Sequence, residues 1–151
     1  MLRFITALLV TCLILSCSKS IKSSSSGSFN GIPQVEFCDL IRHEGQLVYV
    51  KAAYSGVDEY WALNSLKKCG NNLNVELDDR SGEPIPSKFQ AAFDSAYASY
   101  WDTYLIVEAT GVFESKNLGG YGHLESNKAR LIMKEYINVT LVKKKKVQGL
   151  P

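Results

Sequence analysis

"TYLIVEATGVFES" (residues 103–115) reads as the most regular strand of the chain. Leu105, Val107, Ala109, Gly111 and Phe113 recur every second residue, which places them on one face of an extended segment. A glycine within that face predicts a sharp bend, a device used where small barrels close. Towards the C-terminus, "ARLIMKEYINVTLVK" (129–143) is the longest strand, with Ala129, Leu131, Met133, Ile137, Val139 and Leu141 expected on its inner face. Glu135 interrupts that face, so a bulge or bend is expected near it.

On the other side, "KFQAAFDSAYASYW" (88–101) places Phe89, Phe93, Ala96, Tyr97 and Tyr100 at helical spacing. An aromatic stripe of this kind reads as core before it reads as a ligand platform. Ser87 is the expected N-cap. The preceding "RSGEPIPSKF" (80–89) breaks periodicity with one glycine and two prolines. "NLNVELDD" (72–79) alternates Leu73, Val75 and Leu77 against Asn74, Glu76 and Asp78, as a half-buried strand does. "YWALNS" (60–65) and "QLVYVKAAYS" (46–55) read as strands joined by the turn-rich "SGVDE" (55–59). "PQVEFCDLIRH" (33–43) begins with Pro33, which suits a first helical turn, and sets Val35, Cys38 and Ile41 on one helical face. The expected class is mainly β (α+β): a short N-terminal helix, three strands, a helix and two strands. There is no internal repeat.

The N-terminus bears on location. After Met1-Leu2-Arg3, "FITALLVTCLILS" (4–16) is an apolar run, shorter than the ~20 residues of a comfortable span and suited to a secretory h-region. It ends in "ILSC", which resembles the bacterial lipobox. That resemblance implies a signal peptide over 1–16, cleavage before Cys17, and lipidation of Cys17 by palmitate-type chains. An ordinary signal peptide or a short uncleaved anchor are the alternatives. "SKSIKSSSSGSFNG" (18–31) has too little apolar surface to fold and reads as a linker holding a domain off a membrane. Ser18, where an aspartate marks inner-membrane retention in lipoprotein sorting, implies the outer membrane. The expected localisation is therefore the bacterial cell envelope, lipid-anchored.

Of 151 residues, about 120 remain for one domain, expected over 32–143 with a basic tail at 144–151. A formal charge of +2 makes no electrostatic demand for nucleic acid. The run Lys143–Lys146 reads as a solvated strand end, with contact to anionic lipid or an acidic polymer as the alternative. Cys12 leaves with the signal and Cys17 carries lipid, so Cys38 and Cys69 remain as an even pair in an oxidising compartment. A disulfide is expected. No CxxC and no zinc spacing supports a redox or metal role.

Strand–strand–strand–helix–strand–strand is the order of the OB-fold, a five-stranded partly open barrel. "GQLVYVKAAY" (45–54) resembles the opening strand of many OB-type domains, with Ala52 or Ala53 where glycine is common. Together with Cys38 and Cys69, and with Gly111, Phe113, Gly120, Tyr121, Gly122 and His123, it also resembles small uncharacterised bacterial envelope proteins. No activity follows from either resemblance. The OB likeness implies that "NLGGYGHLES" (117–126) lies near "SGVDEYW" (55–61), on the usual ligand face.

Two roles are open for that surface. In one, the glycines shape a turn and His123 bonds the loop's own backbone. In the other, Trp61 and Tyr121 stack on a sugar ring or a base. His123 would then move a proton near neutral pH, oriented by Asp58 or Glu59. GxSxG, P-loop and HExxH motifs are absent. His43, Glu36 and Asp39 read as exposed, Asp78-Asp79-Arg80 as an acidic turn, and Asn138 in "NVT" as no acceptor in a bacterium. The expected function is a binding or scaffold module contacting an envelope protein, a glycan or a small ligand, with no cofactor and no metal. The alternative is a small hydrolase or lyase using His123 with Asp58 or Glu59.

Overall fold

A computed structural model describes residues 27–145. The signal run, Cys17, most of the linker and Lys146 lie outside the described residues. Seven strands and one α-helix follow one another: β1 (Ser28–Phe29), β2 (Ile32–Val35), β3 (Leu47–Val57), β4 (Tyr60–Asn64), β5 (Val75–Asp78), α1 (Ser87–Ala98), β6 (Thr103–Glu114) and β7 (Ala129–Lys143). A short 3₁₀ turn occupies Phe37–Arg42, and a tight turn with left-handed backbone at Leu124 spans His123–Glu125.

β3, β4, β5, β7 and β6 pair in that order, and β6 returns to β3, closing a five-stranded barrel. β5 runs parallel to β7 and the other seams of the ring are antiparallel. With α1 between β5 and β6, this is an OB-fold-like barrel, as expected, with β1 and β2 added at its edge. The β4–β5 seam is the weakest, carried by the single pair Leu63–Val75.

The alternation read in 103–115 is the barrel's own. Leu105, Val107, Ala109 and Phe113 are fully buried, facing Val48, Val50 and Ala52 of β3 and Leu131 and Met133 of β7 in one core. Gly111 sits at a register shift between β6 and β7, and a Cβ there would stand 2.7 Å from both the Ile132 carbonyl and Leu131 Cγ. The strands come that close only because residue 111 has no side chain. α1 covers the barrel with Phe93 and Ala96. Burying a side chain such as Phe93 contributes about 1.5–3 kcal/mol.

Several local expectations give way. Residues 33–43 form no α-helix. Pro33 pairs with Ser28, Gln34 and Val35 pair parallel with β3, and only the 3₁₀ turn follows. Burial explains this: Phe37 and Leu40, three apart, share one side of a 3₁₀ turn and enter the core, while Ile41 is exposed. The linker expected through residue 31 stops short of it. Residues 28–35 form a hairpin, and Phe29 stacks on Tyr49 at 4.9 Å. The turn after β3 is only Asp58-Glu59, since Val57 still pairs with Tyr60. β5 begins at Val75, not 72.

Ser87 is the first helical residue and the N-cap is Pro86, without a side-chain hydrogen bond. β7 carries two irregularities, flanking the expected Glu135 region, and they bring Tyr136 inward where Ile137 was expected; Leu141 is exposed. Lys144 is no free tail residue. Its N–H donates to the Asp102 carbonyl and its Nζ to the Tyr100 carbonyl, pinning the end of β7.

Cys38 and Cys69 form the expected disulfide, joining the 3₁₀ turn to the β4–β5 connection. Asp78, placed on the polar face by alternation, is buried instead. Arg130 makes that tolerable: its Nη1 lies 3.0 Å from Asp78 while its Nη2 lies 2.8 Å from Glu114.

Candidate ligand cleft

The connection between β6 and β7 has a built shape. Tyr121 and Asn127 exchange backbone hydrogen bonds of 2.9 and 3.0 Å. Asn117 Nδ2 donates to the Gly120 carbonyl at 2.6 Å, and Asn117 Oδ1 accepts from the Gly119 N–H. Gly120 holds φ at +88°, and a Cβ there would run into the Glu125 carbonyl oxygen. Leu124 and Glu125 also have positive φ. Such conformations cost energy for non-glycine residues and persist where the surroundings enforce them.

His123 leaves this frame and meets the β3–β4 turn. Its Nε2 lies 3.0 Å from Glu59 Oε2, and its ring stands edge-on to Tyr60 at 5.2 Å. The imidazole therefore does not brace its own loop's backbone, one of the two roles open from sequence. The side chains of His123 and Glu59 are 41% and 72% exposed, so water screens the pair.

Beneath this contact lies an open cleft of about 590 Å³. One wall is aromatic: Trp61 meets Tyr97 edge-to-face at 4.6 Å and Tyr54 at 5.3 Å. The Tyr54 and Tyr97 hydroxyls approach to 3.4 Å. Burial first, and the nearby Tyr97 second, push the Tyr54 phenol well above its ordinary range; burial raises the Tyr97 phenol. Both stay neutral hydrogen-bonding groups at physiological pH. The facing wall carries Glu76 and Arg80, paired at 2.8 Å, with Leu77 and Asn127 beside them. At the lip, the Asp58 carbonyl accepts from Trp61 Nε1 at 2.9 Å. The Asp58 carboxylate has no hydrogen bond or ion pair among the described residues.

Four of the five residues singled out from sequence, Asp58, Glu59, Trp61 and His123, thus line one cleft. Tyr121 does not. Its backbone pairing with Asn127 leaves its ring beside the Arg130 guanidinium, 5.4 Å away, and its hydroxyl accepting from the Asn117 N–H. Of the two acids, Glu59 is the one that reaches His123. Tyr54, Tyr97, Glu76 and Arg80 were not anticipated. Tyr54 and Tyr97 carry apolar-face spacing; Tyr54 is buried, and Tyr97, near the end of α1, is partly open to solvent.

Among the described residues no group of three His, Cys, Asp or Glu is placed to hold a metal ion. No described helix is long and apolar enough to cross a membrane. Comparisons with protein-family models, with curated proteins and with solved structures each return no match.

Proposed function

We propose that the chain is a lipid-anchored binding module of the bacterial cell envelope, tethered through Cys17, whose ligand site is the cleft between the β3–β4 turn and the β6–β7 connection. The observation that carries this is the cleft itself: about 590 Å³, with an aromatic wall, a charged wall, and a lip built from the two connections that border the ligand face of OB-type barrels. The lipobox-like "ILSC" and the serine-rich linker support the anchor and the envelope location. The partner is an envelope protein, a glycan or a small ligand.

A hydrolase or lyase is the second reading, favoured by one contact, His123 Nε2 to Glu59 at 3.0 Å. That is the geometry of a base and its orienting acid. Its exposure and the want of an adjacent nucleophile weigh against it.

Two measurements test these readings. Cys17→Ala should abolish fatty-acid labelling and release the protein from membranes or stall its processing; unchanged fractionation with an unacylated mature N-terminus would refute the anchor. In crosslinked envelopes, Tyr97→Leu and His123→Ala should each lower recovery of the wild-type partner set. Full recovery by both would refute the cleft as the binding site. A turnover lost with Glu59→Gln while capture persists would favour the enzyme.

A further inference from the structure

If the cleft is the module's ligand site, as proposed, its walls also limit what can enter. The chain as a whole carries a formal +2, yet the side chains lining the cleft bring three carboxylates against one guanidinium. Glu76 and Arg80 satisfy one another. That leaves Asp58 and Glu59, adjacent on one turn, the first unpartnered and the second meeting only a solvent-screened imidazole. An anionic ligand would face their repulsion, whereas a cation is attracted by both carboxylates.

The aromatic wall supplies ring surface beside the Tyr54 and Tyr97 hydroxyls. Tyr97 is 40% exposed, so part of its ring is open to the cleft, and it is held in place by edge contact with Trp61. Aromatic faces attract organic cations, and more so where water is thinned by neighbouring apolar surface. A bare metal ion has too few ligating groups here, since no three converge among the described residues. The volume lies within the range of small-molecule sites.

We infer that the cleft binds a small organic cation, an ammonium group on an apolar body, held by the exposed part of the Tyr97 ring, with Trp61 packed behind it, and by the carboxylates of Asp58 and Glu59. The probes are choline and putrescine, with 3,3-dimethylbutan-1-ol as the neutral isostere of choline. The readout is Trp61 fluorescence in a Trp101→Phe background, because Trp101 is the chain's other tryptophan and is exposed. Saturable quenching is expected with at least one of the two cations and not with the neutral isostere. Asp58→Asn/Glu59→Gln and, separately, Tyr97→Leu should weaken it by about ten-fold or more. Thermal melts of each variant confirm that it is folded before binding is compared. Equal binding of choline and its isostere, or no saturable binding by either cation, overturns the inference. Partner capture by the same variants is scored separately: if capture is lost with them but is not competed by the cations, the cleft remains the binding site and only the ligand class is wrong.

Discussion

Gly120 and His123 stand three positions apart and carry different burdens. Gly120 is needed by the backbone: φ is +88°, and any Cβ meets the Glu125 carbonyl. Valine there combines a left-handed conformation with a direct overlap, so Gly120→Val should lower stability by more than about 2 kcal/mol. His123 is needed, if at all, for what lies outside the loop. Its contact with Glu59 is solvent-screened, and His123→Ala should cost less than about 1 kcal/mol. Urea denaturation of the two variants measures both. A His123→Ala loss as large as that of Gly120→Val would mean that the imidazole holds the loop together after all.

Among the elements, the β4–β5 connection depends most on covalent support. Its ladder is one residue pair, and the chain between contains Lys67-Lys68, Gly70 and three asparagines, with little to bury. The Cys38–Cys69 bridge fixes that segment to the 3₁₀ turn, whose Phe37 and Leu40 are in the core. A closed loop of 31 positions is worth about 3–4 kcal/mol by chain entropy. Replacing both cysteines by serine should lower stability by roughly that amount. Amide exchange should quicken first in Val75–Asp78, beside the thin seam. Unchanged exchange and an unchanged melting temperature would show that packing alone holds the segment. The same turn shows why residues 33–43 mislead as an isolated stretch. Pairing with β3 and the bridge at Cys38 override a spacing that locally suits a helix.

At the scale of the whole molecule, barrel and helix together bury a set of phenols. Tyr49 is pushed up to about 12, by burial first and then by its hydrogen bond to the Glu108 carboxylate. Burial also raises Tyr54, Tyr97 and Tyr136, and the Tyr136 hydroxyl has no hydrogen-bond partner among the described residues. Each phenol holds its proton more tightly when folded. The stability this lends is full below the ordinary value of 10.0 and drains as pH rises through it towards the raised values. At the acid end, hydrogen bonds from Lys51 and Tyr49 lower Glu108, whose contribution is present above the ordinary 4.5 and lost as pH falls through the lowered value. In an alkaline titration the buried Tyr49, Tyr54 and Tyr136 should ionise together with the loss of near-ultraviolet circular dichroism. Reversible ionisation of all eight tyrosines with the fold intact would refute the burial argument.

Period-two alternation in 103–115, the strand over 129–143, the aromatic spacing of α1 and the three-strand, helix, two-strand order of the barrel were legible from the residues, because each reflects neighbours along the chain; the N-terminal helix expected before them was not there. The disulfide was legible by elimination. Tertiary structure alone decided the rest. It set the β3–β6 seam that closes the ring, the two irregularities that turn Tyr136 inward, and the Arg130 partner that lets Asp78 be buried. It also decided the cleft, where His123 faces Glu59 rather than its own loop, Tyr54 and Tyr97 form a wall, and Tyr121 is turned towards Arg130. A strand's partner, a buried charge's counterion and a cleft's far wall come from segments tens of residues away, and no local pattern encodes which of them will meet.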